Sequence, residues 1–360
     1  GSIKKKGVAA MKWKALFAIL TVALIVSASM IATGEEAVDR PPFEILAHIE
    51  TLTYGQPKSG GLISRLAEIE KAYFGRELPG SLAERQQAFL NFLENGLPEQ
   101  PSFIFKLGVA EWIVTQQVGE GNLKERLEAI EKLLEGEPNI EGPFAMRLER
   151  IIGLILPEGV LWEEIEVPKE KVFKVALKNS LSPQEVKVGD PVELVLLGDF
   201  VVDTALIAPS ESRVLGHVDS IKPPRSFGRS SEVKIAFDHI VPLDVINKIP
   251  VMLGPEAEKA SKADDTVVAA AGASFVGAIL LGPLGLAGGA LVRGDVKNIP
   301  EGTPFYLETA NITTVRAYPV PEVLHSIIRP SEVPQPPEEE EENDTESSTK
   351  SVKDKNAKEK

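Results

Sequence analysis

The side chains able to do chemistry in this chain are few and scattered. Four histidines, His48, His217, His239 and His325, fall in different segments, and none stands at a ligand spacing such as His-x-x-x-His. Zinc usually takes three or four N, S or O ligands, and no such cluster can be read. There is no cysteine, which removes disulfides, thiolate metal sites, a Cys nucleophile and lipoprotein-type acylation together. Adjacent acids such as Glu163-Glu164 and Asp264-Asp265 read as solvated carboxylates, because glycosidase chemistry needs two carboxyl groups at a set separation. The glycines from Gly282 to Gly289 lie in an apolar run with no following Lys-Ser or Lys-Thr, so they make no phosphate cradle. No Gly-x-Ser-x-Gly elbow occurs either. The residues predict a protein that is not an enzyme, with no catalytic residue, no metal and no cofactor.

Two segments remain as candidate sites. Lys222-Pro223-Pro224-Arg225-Ser226-Phe227-Gly228-Arg229 is basic, stiff at one end and free at the other. It is either a hairpin connection with solvated arginines or, through Arg225, Phe227 and Arg229, a contact to an acidic partner or lipid head groups. Thr266–Val292 carries no charge over 27 residues. It could span a bilayer once at 1.5 Å per residue, but Gly282-Pro283 near its middle favours two short limbs turning back as a hairpin. Small residues let apolar helices approach closely, so Gly272, Gly277, Gly282, Pro283, Gly285, Gly288 and Gly289 are the expected hairpin-packing or membrane-insertion residues. The alternative is a hairpin buried in the protein's own core.

The rest of the chain must hold these segments. At 360 residues, with 43% hydrophobic residues, it can form two ordinary domains with flanking segments. Its net charge of −14 argues against nucleic acid, since phosphate contacts need concentrated Lys and Arg. Lys12 and Lys14 precede the apolar run Ala15–Val26 and then small residues to Gly34. That order predicts a signal peptide or an uncleaved anchor within residues 1–34, and export from the cytoplasm. Residues 43–163 read as a helical repeat domain. Ile49-Glu50 returns as Ile69-Glu70, Gly55 as Gly75, and Gly60, Leu62 and Arg65 as Gly80, Leu82 and Arg85, a period of 20 residues. Leu62, Leu66 and Ile69 share one helical face, as do Leu123, Leu127, Ile130 and Leu134, with Arg and Glu expected on the other. Gly55 and Gly75 sit where helices should stop, and Ser81 with Glu84 has capping-box spacing. Phe103–Gln117, with Trp112, reads as a further core helix or a docking surface.

Residues 167–318 read as β-rich. Short β-branched runs, among them Val192–Leu197, Phe200–Val202, Val214–Val218 and Val233–Phe237, alternate with turn residues, which suggests a barrel or sandwich. An apolar residue with proline, a polar turn and a strand recur at Val167-Pro168, Ile207-Ala208-Pro209 and Ile299-Pro300. Residues 330–360 lack apolar density and read as a disordered charged tail. The expected fold class is α+β: an α-helical repeat domain, then a β-barrel or sandwich with an inserted apolar helical hairpin.

With those residues in view, Val167–Val315 resembles the C-terminal β-barrel of the scaffold subunit of type IV secretion core complexes, the TrbI-like family. The resemblance is carried by Asp199-Phe200-Val201-Val202-Asp203, by Ile207-Ala208-Pro209-Ser210-Glu211-Ser212-Arg213-Val214-Leu215-Gly216, and by Ile299-Pro300-Glu301-Gly302-Thr303-Pro304-Phe305-Tyr306. It implies an oligomerising periplasmic barrel with hairpins at the outer membrane. The helical half resembles uncharacterised envelope proteins of diderm bacteria. The expected role is structural or assembly work in the envelope, with self-association or envelope proteins as partners, membrane contact and no nucleic acid. The alternative is a soluble periplasmic binding or chaperone-like module.

Overall fold

The computed structural model describes residues 40–97, 99–182, 184–222, 231–264, 289–294 and 299–334. The segment 1–34, the loop with Arg225, Phe227 and Arg229, the residues Gly272, Gly277, Gly282, Pro283, Gly285 and Gly288, and the tail beyond residue 334 lie outside these.

Six α-helices occupy the N-terminal half: α1 (Pro42–Tyr54), α2 (Leu62–Phe74), α3 (Leu82–Leu90), α4 (Phe103–Thr115), α5 (Leu123–Glu135) and α6 (Phe144–Ile155). Their ends follow from local sequence. Gly55 and Gly75 close α1 and α2 in the left-handed conformation, at φ 84° and 73°. The Ser81 hydroxyl accepts the Glu84 amide while Glu84 accepts the Ser81 amide, a reciprocal cap that starts α3. Asn122 and Glu125 do the same for α5. One π-helical turn, Asn91–Asn95, extends α3.

Strands begin at Glu163, earlier than the expected boundary: β1 (Glu163–Val167), β2 (Val172–Leu177), β3 (Pro191–Leu196), β4 (Phe200–Val202), β5 (Ala205–Ala208), β6 (Arg213–Lys222), β7 (Ser231–Ile240), β8 (Ile249–Met252), β9 (Gly289–Gly294), β10 (Pro304–Thr309) and β11 (Thr313–Pro319). A helix, α7 (Pro255–Ala263), follows β8. The order β6-β3-β2-β10-β8-β7 closes through the β6–β7 pairing into a six-stranded barrel, and β9 adds to β7. A second sheet, β1-β11-β5-β4, forms a half-barrel. Closure leaves the six strands without a free sheet edge. Along β7, Val233, Ile235 and Phe237 are buried and alternate with less buried Lys234 and exposed Asp238, the period-two pattern of a wall with one face in the core.

Two expectations change here. The apolar stretch was read as helical to Val292, but Gly289–Val292 belong to β9, where Gly289 pairs with Ala236 and Val292 with Val233. Backbone bonding to β7 overrides the hairpin pattern for those four residues, so Gly289 opens a strand. The tail was expected from Pro330, yet Pro330 bridges Asp199 and Val333 packs on the barrel core, because two apolar or conformationally fixed residues there suffice to seat the chain.

The three proline phrases are three copies of one turn. The residue two after each proline is left-handed: Glu170 at φ 64°, Glu211 at 64° and Gly302 at 78°. Only the last is glycine, the residue that adopts this region at no steric cost. Glu170 is an exposed glutamate whose carboxylate, among the described residues, pairs only with Lys169. Glu170→Gly should therefore raise the unfolding free energy by about 0.5–1 kcal/mol, the part of the left-handed penalty not offset by added unfolded-state freedom. Denaturant unfolding checks this, and a lowered midpoint would show that no strain is relieved.

Candidate functional site

The leucine pattern sets Arg and Glu on the opposite helix face, and the structure buries four of the glutamates. Glu50, Glu70 and Glu131 are 0% exposed and Glu111 is 1% exposed. Each takes both prongs of a guanidinium from the next helix: Arg65 on Glu50 at 3.0 and 2.5 Å, Arg85 on Glu70 at 2.9 and 2.5 Å, Arg126 on Glu111 at 2.8 and 2.6 Å, Arg147 on Glu131 at 2.9 and 2.6 Å. Three of these carboxylates also accept a loop amide eight residues on, from Lys58, Leu78 and Asn139. A buried ion is tolerated only when paired and hydrogen-bonded, and these meet both conditions. The signal that could have shown it is the Glu-to-Arg spacing, which is 15, 15, 15 and 16 residues.

Trp112, read as core or docking surface, is fully buried where α4 meets the half-barrel. Its indole N–H donates to Asp199 Oδ2 at 3.1 Å. The same carboxylate accepts the Ser210 amide at 3.1 Å and the Arg329 amide at 2.8 Å, so it collects donors from three places in the chain. Leu206, Leu243, Tyr318 and Val320 of the β-region join the core of the helices. Leu243 packs so close to Gly108 that a Cβ there would lie 2.6 Å from Leu243 Cδ2. At the edge of this junction the Val118 amide donates to the Ser210 carbonyl. Burial first, and then the Glu120 carboxylate, push the Glu211 carboxyl above its ordinary pKa, with Lys178 opposing.

The described chain before the apolar stretch ends at Asp264, just past α7. Glu308 of β10, buried, accepts the Ala257 amide at the α7 N-terminus at 2.8 Å, where the helix dipole favours a carboxylate. A Cβ on Gly254 would sit 1.9 Å from Glu308 Oε1, so any side chain there must displace the carboxylate that caps α7. At the other end Asp264 accepts the Tyr306 hydroxyl at 2.7 Å and Lys174 Nζ at 2.6 Å. Burial and the Asp264 carboxylate both push the Tyr306 phenol up. The described chain thus ends at a fixed point before the stretch and resumes in β9 on β7.

No family model matches this chain, and no curated protein matches it.

The histidines do not converge: His48 meets Glu94, His217 meets Asp238 and His325 meets the Val320 carbonyl. Among the described residues no group of three or more His, Asp or Glu is placed to hold a metal ion. A cleft of about 560 Å³ lies between the end of α2 and the start of α5 and α6, with Lys71, Lys124 and Glu128 on its walls, Phe144 and Arg147 on its floor, and Ile140 at its mouth. Lys71 and Lys124 already pair with Glu77 and Glu128, so the cleft offers no uncompensated cation.

Two measurements follow from this geometry. Arg85→Met leaves Glu70 buried and unpaired, and should cost about 3–5 kcal/mol. The double variant Glu70→Gln, Arg85→Met should lose clearly less; equal losses in denaturant unfolding would mean that charge pairing is not what holds α2 to α3. For Glu211, a raised carboxyl pKa means that the folded state holds its proton more tightly than the unfolded chain. Stability from this group is therefore greatest at low pH and declines as pH rises through the range above the ordinary carboxylate value. Glu211→Gln should melt higher than the parent at pH 7 and equally near pH 4; a constant difference across that range would remove Glu211 as its source.

Proposed function

We propose that this chain is a non-enzymatic structural or assembly component of a diderm bacterial envelope, exported there and associating with its own copies, with envelope proteins or with a membrane through the apolar stretch Thr266–Val292. The observation that carries this reading is the closed barrel. Six strands, none of them drawn from 265–288, complete the wall, and Phe173, Val175, Leu194, Val214, Ile235 and Phe305 are among the buried side chains that fill its core. Because the six wall strands close without residues from 265–288, this reading assigns the uncharged run of small residues there to an interaction site rather than to the wall. No helix among the described residues is long and apolar enough to cross a membrane.

The helical half serves in this reading as a docking platform built of repeats. Glu50, Arg65 and Glu70 recur as Glu111, Arg126 and Glu131, each 61 residues on. Where α2 and α5 carry a Glu five residues after the Arg, α3 and α6 carry Leu90 and Ile152, so each run of pairs stops after two. That supports two units of three helices each, stacked because neither buries its apolar stripe alone.

Fractionation tests the proposal. The full chain should resist carbonate and urea extraction from membranes or sediment as an oligomer. Gly288→Leu should weaken that behaviour while the helical circular dichroism is unchanged. The cleft beside Phe144 favours a second reading, a soluble periplasmic binding or chaperone-like module; complete release of the unaltered chain as a monomer would leave that one standing.

A further inference from the structure

After a short 3-10 turn, Glu322–Ile327, residues 329–334 run as a strap across the barrel. The Asp199 amide donates to the Arg329 carbonyl at 2.7 Å, and the Arg329 amide returns a bond to Asp199 Oδ2 at 2.8 Å. The Lys174 amide donates to Ser331 Oγ at 3.4 Å, and the Tyr306 hydroxyl lies 3.4 Å from the Glu332 carbonyl. Val333 packs against the barrel core. Beneath the strap, Gly198 has φ 130°, and a Cβ on it would lie 2.5 Å from the Ser331 amide nitrogen and 2.8 Å from its Cα. Backbone cannot yield there as a flexible side chain would.

Within these few residues the strap touches two joints. Asp199 holds the helical half through the Trp112 indole. Tyr306 and Lys174 hold Asp264, the last described residue before the apolar stretch. We propose that the strap is a coupling latch: seated, it keeps the helix–barrel junction and the exit of α7 closed together; lifted, it loosens both. The reason is shared acceptors and donors. Asp199 Oδ2 serves both Trp112 and Arg329, so losing the strap leaves a buried carboxylate one donor short and the junction it holds correspondingly weaker. Tyr306 and Lys174 likewise lose the cover that fixes them on Asp264. Anything that draws on the chain beyond residue 334 would then be felt at both places. This device stands whether or not the apolar stretch enters a membrane.

Hydrogen exchange on the full chain tests it against three variants: Gly198→Ala, a chain ended after Ile328, and a chain ended after Pro334. In the first two, exchange should rise about tenfold or more both at residues 258–264 and at residues 112–118, the scale set by losing one charge-assisted hydrogen bond. The chain ended after Pro334 should match the parent. A rise confined to the strap and residues 196–212 would overturn the proposal. So would an equal rise in the chain ended after Pro334, which would move the effect to the tail. General loss of protection, β3 included, in the chain ended after Ile328 also counts against a latch, since a latch leaves the barrel wall intact. If Gly198→Ala does not fold, the two shortened chains decide the matter between them.

Discussion

A carboxylate withdrawn from water must be given its donors by the protein. Desolvating an ion costs several kcal/mol even after relaxation, and only close, directed hydrogen bonds offset that. In this chain the constraint operates at each joint. Glu50, Glu70, Glu111 and Glu131 gather a guanidinium from the next helix and, in three cases, an amide from the loop between. Asp199 gathers donors from a helix, a turn and the strap. Glu308 fixes one end of α7 and Asp264 the other. Leucine and phenylalanine contacts are non-directional and tolerate sliding; a forked guanidinium on a carboxylate does not. The apolar residues supply the burial, and the carboxylates set which elements meet and at what register.

What is local in this fold could be read from the residues. Gly55, Gly75 and the Ser81–Glu84 cap gave helix ends because each acts within one turn. The runs Phe200–Val202 and Val214–Val218 marked strands because alternation and β-branching are local too. The proline phrases marked three equivalent turns for the same reason. What depends on distant partners was hidden. The pairing of β1 with β11 and of β2 with β10 joins residues far apart in sequence, and no residue pattern distinguishes the closed barrel from a sandwich. Arg65 and Glu70 looked like surface charges because, taken one helix at a time, charge opposite a leucine stripe means solvent. Asp199 looked like part of a strand-opening phrase, and nothing near it in sequence pointed to Trp112. The candidate residues Arg225, Phe227 and Arg229, and the hairpin glycines other than Gly289, lie outside the described residues; what the structure supplies is the anchorage on either side of them.

That anchorage bears on how the apolar stretch can act. Its start is fixed through α7, held at both ends by buried carboxylates, and its end is stitched to β7 by the six-residue ladder of β9. Both attachments lie on the barrel rather than on loops. Closing a long segment between fixed ends costs little more than closing a short one, because the entropy grows only with the logarithm of length. Asp264, the last described residue before the stretch, is held by Tyr306 and Lys174. The two attachments thus tie the described ends on either side of the stretch to the barrel through buried carboxylates at one end and backbone pairing at the other.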